Sequence, residues 1–344
     1  MVSYHRDQMP AEMDRHIAGK IEIGKIAHVH LKDQGYILIQ ELLGIPPRFF
    51  LPAESPPFHN ETRQPAGRYL LFHLWPFTLA ELTNNRLSID CFLDNPLQTT
   101  TNSEARALWE RLSIVSGFPE PYLSNSTRSY NRWSRSYSRQ LIREDIRDLS
   151  GVKSIYEIET LYHLLPEKVG SPLSIPSLSR DLKVAYNTIN SWLQLFERFY
   201  LSFTITPWTA KIARAIQKER KVYLWDPPRI SNKAFRFENM VGLELYRAIT
   251  LWNDMGYGDF SLHFIRDKEK REVDFIIADA RKPFILVETK LVQTSPSESL
   301  IRFQNMLEVP AVQLVNTGES FQLIKHRKNT ILTAPAYMWL PMLP

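Results

Sequence analysis

Hydrophobic positions in the first 66 residues keep no sustained period. Prolines at 46, 47, 52, 56 and 57 interrupt each candidate element, and only residues 36–43 (YILIQELL) read as ordered, fitting strand and helix equally. The pattern sharpens from Arg68. Residues 68–74 (RYLLFHL) predict a buried strand, and Thr78 predicts the N-cap of a helix entered through Pro76 and Phe77. Gly117-Phe118-Pro119-Glu120-Pro121 predicts a stiff connection, after which Ser126 or Thr127 caps a long helix running to about Leu149. Residues 235–251 predict an amphipathic helix with Phe237, Val241, Leu245 and Ile249 on its apolar face and Glu238 near its start.

Two stretches of the middle third suggest contact with nucleic acid. Arg128, Arg132, Arg135, Arg139, Arg143 and Arg147 follow one another in steps of three and four, which lines them along one helical stripe; Trp133, Tyr137, Ile142 and Ile146 lie off it. Such a stripe suits a phosphate backbone, or else it pairs with Glu144, Asp145 and Asp148. Leu178, Leu182, Val184, Ile189 and Leu193 then take the core spacing of a helix-turn-helix, with helices over 177–182 and 186–200. Lys183 stands at the usual glycine of the turn and Ser179 at the usual alanine. If this pair reads DNA, Tyr186, Asn187, Asn190 and Ser191 face the groove; the alternative is a helical pair used for packing. A basic run at Lys211, Arg214, Lys218, Arg220 and Lys221 leads into a strand over 221–225, read as a wing or a domain edge.

The richest chemistry lies further on. Residues 271–277 and 284–290 predict two strands joined by a turn over 279–282. Pairing residue 278 with 284 sets Asp274 directly opposite Glu288, about 5 Å apart at Cβ and close enough to share one Mg²⁺. Lys290 projects from the same face as Glu288. Two carboxylates to hold a cation and a lysine to balance developing charge suit phosphodiester hydrolysis, while alternating charges also describe any hairpin with a solvated face. Glu238 supplies a further acidic group. The catalytic candidates are therefore Asp274, Glu288, Lys290 and Glu238, with Asp274 and Glu288 as metal ligands.

Composition narrows the class. The 344 residues are 44% hydrophobic and 23% charged, which excludes wholesale disorder and suits two or three domains. Cys91 is the single cysteine, excluding a disulfide framework and a cysteine-built zinc site. No apolar run reaches the roughly 18 residues of a membrane span, and the first residues lack a signal peptide's apolar core, so a cytoplasmic protein without membrane contact is expected. The net charge of +5 is concentrated in residues 121–230, with 17 basic and 10 acidic side chains, which favours non-specific DNA over a merely solvated face only in combination with the motifs above. A phosphate-loop pattern at Gly19, Gly24 and Lys25 fails at Ile26, where a hydroxyl must bind Mg²⁺, so ATP hydrolysis is not expected.

Several segments together resemble bacterial and archaeal AAA-type ATPases that end in a module called "domain of unknown function 4143". They are residues 66–69, 76–82, 116–123 and 143–149, the helix pair, Phe237-Glu238-Asn239, Arg271-Glu272-Val273-Asp274-Phe275 and Val287-Glu288-Thr289-Lys290. The resemblance covers about residues 66–344. It implies an α/β chain: a remnant of an AAA-type ATPase domain over 66–117, a winged helix-turn-helix domain over 118–225, and a restriction-endonuclease-like mixed α/β domain over 226–344. Residues 1–65 do not resemble the family, whose phosphate loop, acidic strand and sensor strand are missing, as in a chain whose front has been lost or replaced. ATP is implied for intact family members alone. The expectation is a truncated or degenerate member associated with DNA; the alternatives are a Mg²⁺-dependent DNA endonuclease and an inactive module that docks proteins.

Overall fold

A computed structural model describes residues 2–5, 29–31, 35–37, 69–73, 75–85, 87–146, 154–209, 219–292, 295–326 and 329–344. The phosphate-loop candidate, Arg147, and Lys211, Arg214 and Lys218 of the basic run lie outside these residues. Strand β1 (Val2–His5) pairs antiparallel with β4 (Tyr69–Phe72), and β2 (Val29–Leu31) pairs with β3 (Gly35–Ile37). Helix α1 (Leu79–Leu82) starts at Thr78 through a capping box: the Thr78 hydroxyl accepts the Glu81 amide, and the Glu81 carboxylate accepts the Thr78 amide. Then come α2 (Ile89–Asp94), α3 (Ala105–Val115) and α4 (Pro119–Ser124).

Helix α5 (Thr127–Gln140) is capped by Ser126, whose hydroxyl accepts the Ser129 amide. The helical path expected after this cap runs on to residue 146, and residues 147–149 lie outside the described ones. The chain passes into a π-helical stretch over Leu141–Ile146, a wider turn that keeps Leu141, Ile142 and Ile146 all buried. Helix α6 (Ile155–Leu164) precedes the helix pair α7 (Ile175–Leu182) and α8 (Tyr186–Arg198). Lys183, between them, adopts the left-handed conformation at φ +54°, which glycine takes without steric cost. The Ser179 hydroxyl donates to the Val184 carbonyl at 2.6 Å and holds the turn in place of that glycine.

Eight strands form one mixed sheet: β5 (Ser202–Pro207), β6 (Lys221–Leu224), β7 (Phe260–Arg266), β8 (Glu272–Asp279), β9 (Lys282–Lys290), β10 (Ala311–Val315), β11 (Gln322–His326) and β12 (Asn329–Pro335). Their order is β11-β12-β10-β9-β8-β7-β5-β6. The sheet thus takes strands from both sides of position 225. Helix α9 (Lys233–Asp254) shares a core with Phe275, Ile277, Ile285 and Val287, whereas α10 (Glu298–Leu307) shares one with Ile276 and Leu286. That alternation along β8 and β9 is what helices on both faces of a sheet require. The final helix is α11 (Ala336–Trp339).

Helix α9 is not the one-faced helix its pattern predicts. Phe237, Val241, Leu245 and Ile249 are buried, but so are Glu238, Asn239, Met240, Glu244, Arg247 and Trp252. The sheet covers one side, and the 77–79 segment covers another: Arg247 Nη1 donates to the Phe77 carbonyl at 3.0 Å, and Glu244 Oε2 accepts the Leu79 amide. Among the described residues no helix is long and apolar enough to cross a membrane.

Candidate active site

The hairpin that carries the acidic candidates departs from its expected register at one end. Phe275, Ile276 and Ile277 pair with Val287, Leu286 and Ile285, in line with the predicted register, but a bulge then sets Ala278 against Pro283 rather than residue 284. Pro283 has no amide to donate, and Ala280 and Arg281 both turn at positive φ. At the other end the ladder stops at Phe275 and Val287, one step short of the expected Asp274–Glu288 pair. There the Asp274 carboxylate takes the place of the next ladder bond: its Oδ2 accepts the Thr289 amide at 2.8 Å and the Thr289 hydroxyl at 2.7 Å.

Glu288 is 2% exposed and has a partner on each oxygen. Its Oε1 lies 2.5 Å from Lys290 Nζ, and its Oε2 accepts the Ser297 hydroxyl at the N-terminus of α10. Ser297 is held in turn by Gln313, whose side chain accepts the Ser297 amide and donates to the Ser295 carbonyl. Glu238 enters from α9. Its Oε1 accepts the Tyr223 hydroxyl at 2.8 Å and the Lys221 ammonium at 3.1 Å, both from β6. Lys221 is itself buried and also contacts Glu272 Oε1 at 2.7 Å.

Electrostatics bind these side chains into one cluster. Burial first, and the Asp274 charge second, push the Glu238 carboxyl up to about 7 and raise Glu288 above the usual range. Burial alone would lower Lys290, but the bond to Glu288 and the charges of Glu288, Asp274 and Glu238 raise it. Asp274 and Lys290 thus each interact with the other three catalytic candidates from the sequence. Lys221, Tyr223, Glu272, Thr289 and Ser297 complete the cluster and were not among those candidates. A signal did exist: Lys221 opens an apolar strand, where a lysine persists only with a partner.

The cluster fits a magnesium ion by its donor chemistry. Among the described residues no group of three or more His, Cys, Asp or Glu side chains is arranged to enclose a metal. Magnesium needs less, since it commonly keeps several waters and uses one or two carboxylates. Among the described residues Asp274 bonds through Oδ2 alone, Glu288 spends a single partner on each oxygen, and the crowding of like charges is what a divalent cation relieves.

The predicted nucleic-acid residues divide into two sets. Arg128, Arg132, Arg135 and Arg139 all lie on the exposed face of α5, with the exposed Asn131 and Ser136 between them. Arg143 is different, because it pairs with Glu159 at 2.8 Å. The off-stripe Trp133 and Tyr137 are buried. Helix α5 is fastened to the sheet edge by Asp226, just beyond β6, whose Oδ2 accepts the hydroxyls of Tyr130 and Ser134 at 3.0 Å each. On α8, Tyr186, Asn187 and Ser191 are exposed and Asn190 is half-buried; Asn190 and Ser191 donate back to the carbonyls of Tyr186 and Asn187.

Residues 106–228 match the family model described as Domain of unknown function (DUF8612). No curated protein matches the chain. A chain of the solved structure described as "Refined half-complex from tetradecameric assembly of Thermococcus gammatolerans McrB AAA+ hexamers with bound McrC" is similar at 12% identity with a TM-score of 0.23. The likeness covers 52% of this chain and 47% of that one, so this chain spans about half its length, and at that score it assigns no fold. Residues 234–337 carry a second domain match, Domain of unknown function (DUF4143), and this domain contains Glu238, Glu272, Asp274, Glu288 and Lys290.

Proposed function

We propose that this chain binds nucleic acid and cleaves its phosphodiester backbone with a magnesium ion held by Asp274 and Glu288. One observation carries the reading: two carboxylates on adjacent strands and Lys290 come together where the β8–β9 ladder ends, with Glu238 arriving from α9. When bound, the ion polarises the scissile phosphate and makes a water more acidic. Lys290, paired with Glu288, would place a positive charge beside the scissile phosphate as negative charge builds on its oxygens. Thr289 holds Asp274 through Oδ2 and would so fix the orientation of the carboxylate that holds the cation.

Substrate binding falls to the arginine face of α5 and to the exposed start of α8, in the manner of a helix-turn-helix with an added phosphate stripe. Four arginines without a carboxylate partner among the described residues suit a backbone of repeating negative charge, and such contacts carry no sequence preference. The reading includes no ATP step, because Ile26 replaces the hydroxyl that a phosphate loop needs. A magnesium-dependent ATP turnover abolished by Lys25→Ala would overturn that part.

The test is cleavage of plasmid and single-stranded DNA with Mg²⁺ or Mn²⁺, comparing the wild type with Asp274→Ala and Lys290→Ala. Each variant should lose at least about a hundredfold in rate. Cutting that persists unchanged in both variants, or no cutting with either cation, sinks the nuclease reading. Salt-sensitive DNA binding in the second case would leave a binding module.

A further inference from the structure

Lys221 occupies an uncommon position. It is 1% exposed, lies on the edge strand β6, and brings its ammonium within 3.1 Å of Glu238 and 2.7 Å of Glu272. The Phe264 ring lies beneath the ammonium at 5.5 Å, and the remaining Glu272 oxygen is 3.7 Å from Arg266. A buried ammonium between two carboxylates does what a metal ion would do there: it draws their oxygens together and cancels their charge. Sites that cleave phosphodiesters with two metals need oxygen donors for the second ion as well as the first. The only other carboxylates the described residues bring into this cluster are Glu238 and Glu272, and both are taken by Lys221.

We propose that Lys221 stands in for a second metal ion, so that the site takes a single divalent cation, at Asp274 and Glu288, and Glu238 is a charge partner rather than a ligand. The inference rests on the proposed metal-dependent function and adds the stoichiometry of the site and the role of Lys221, a positioning residue. The geometry limits the alternatives. A magnesium ion binds oxygen at about 2.0–2.1 Å and requires near-octahedral donors, so it cannot share the Glu238–Glu272 space with the ammonium. Removing the ammonium leaves the buried Glu238 carboxylate and the half-buried Glu272 carboxylate facing one gap, a cost that a divalent ion relieves.

The experiment is a Mn²⁺ titration of the full chain followed by electron paramagnetic resonance, which counts bound ions without reference to cleavage. Wild type should bind one Mn²⁺, Asp274→Ala none, and Lys221→Met two. Should Lys221→Met fail to fold in the absence of metal, Mn²⁺ should restore its melting transition. The double variant Lys221→Met with Glu238→Gln should fold without metal and return to one ion. Two ions on the wild type, or one ion of unchanged affinity on a folded Lys221→Met, overturns the role of Lys221 while leaving the nuclease site intact. No Mn²⁺ on either the wild type or Lys221→Met overturns both readings together.

Discussion

The backbone amide and the hydroxyl of Thr289 donate to the same oxygen of Asp274, at 2.8 and 2.7 Å. A residue between the glutamate and the lysine thus fixes the aspartate across the ladder's end. Thr289→Val keeps the shape and the amide bond but removes the hydroxyl, so Asp274 gains a rotational freedom it lacks. Outer partners of metal ligands commonly contribute 10–100-fold to affinity, and a loss of about tenfold in Mn²⁺ affinity with an unchanged melting temperature is expected. Equal affinity by titration calorimetry would show that the amide alone suffices.

Gly242 sets how closely α9 approaches the sheet. A methyl group there would meet the Phe275 ring at 2.9 Å, and Phe275 is the neighbour of Asp274. Gly242→Ala should destabilise the fold by about 1–3 kcal/mol through overpacking, measured by urea denaturation. The same displacement carries Glu238 away from Asp274, so Mn²⁺ affinity should change as well. A variant as stable as the wild type would mean that the ring moves freely.

The α5 arginines should act through phosphate charge. Arg132→Ala with Arg135→Ala should weaken binding of unrelated duplexes alike and reduce the salt slope by about 2, roughly one unit for each lost phosphate contact. Fluorescence anisotropy at several salt concentrations measures both. Weakening confined to one sequence would point instead to base contacts, and an unchanged slope would remove α5 from the interface.

Glu244 gives a pH dependence remote from the acidic cluster. Burial raises its carboxyl to about 7 against the opposing effects of Arg247 and the Leu79 amide, with a smaller addition from the charge of Glu81. Between the ordinary value of 4.5 and about 7 the folded chain therefore holds a proton that the unfolded chain has lost. Stability falls across that window as pH rises and levels off above it. Glu244→Gln removes the titration, so its stability relative to wild type should rise by on the order of 3 kcal/mol between pH 4.5 and pH 8. Parallel denaturation curves for the two proteins across that range would contradict the assignment.

Local pattern was enough to place many elements, because their signals are carried by adjacent residues. The Thr78 N-cap, a cap at Ser126 or Thr127, the turn at Lys183 and the two strands of the acidic hairpin all follow from propensity, capping chemistry and period. The same pattern singled out Asp274, Glu288, Lys290 and Glu238, since two-residue spacing along one strand and the central Phe275–Ile277 register are short-range facts. Tertiary structure decided the rest. Only the folded chain sets Lys221 between Glu238 and Glu272, which lie 17 and 51 positions away, and only there does its strand become the edge of the same sheet. A sequence reports lysine as charge, and burial against two distant carboxylates is what turns that charge into a fixed counterion. The burial of α9 on more than one face was likewise out of reach, because Glu244 and Arg247 are charged side chains in an amphipathic pattern until the 77–79 segment covers them.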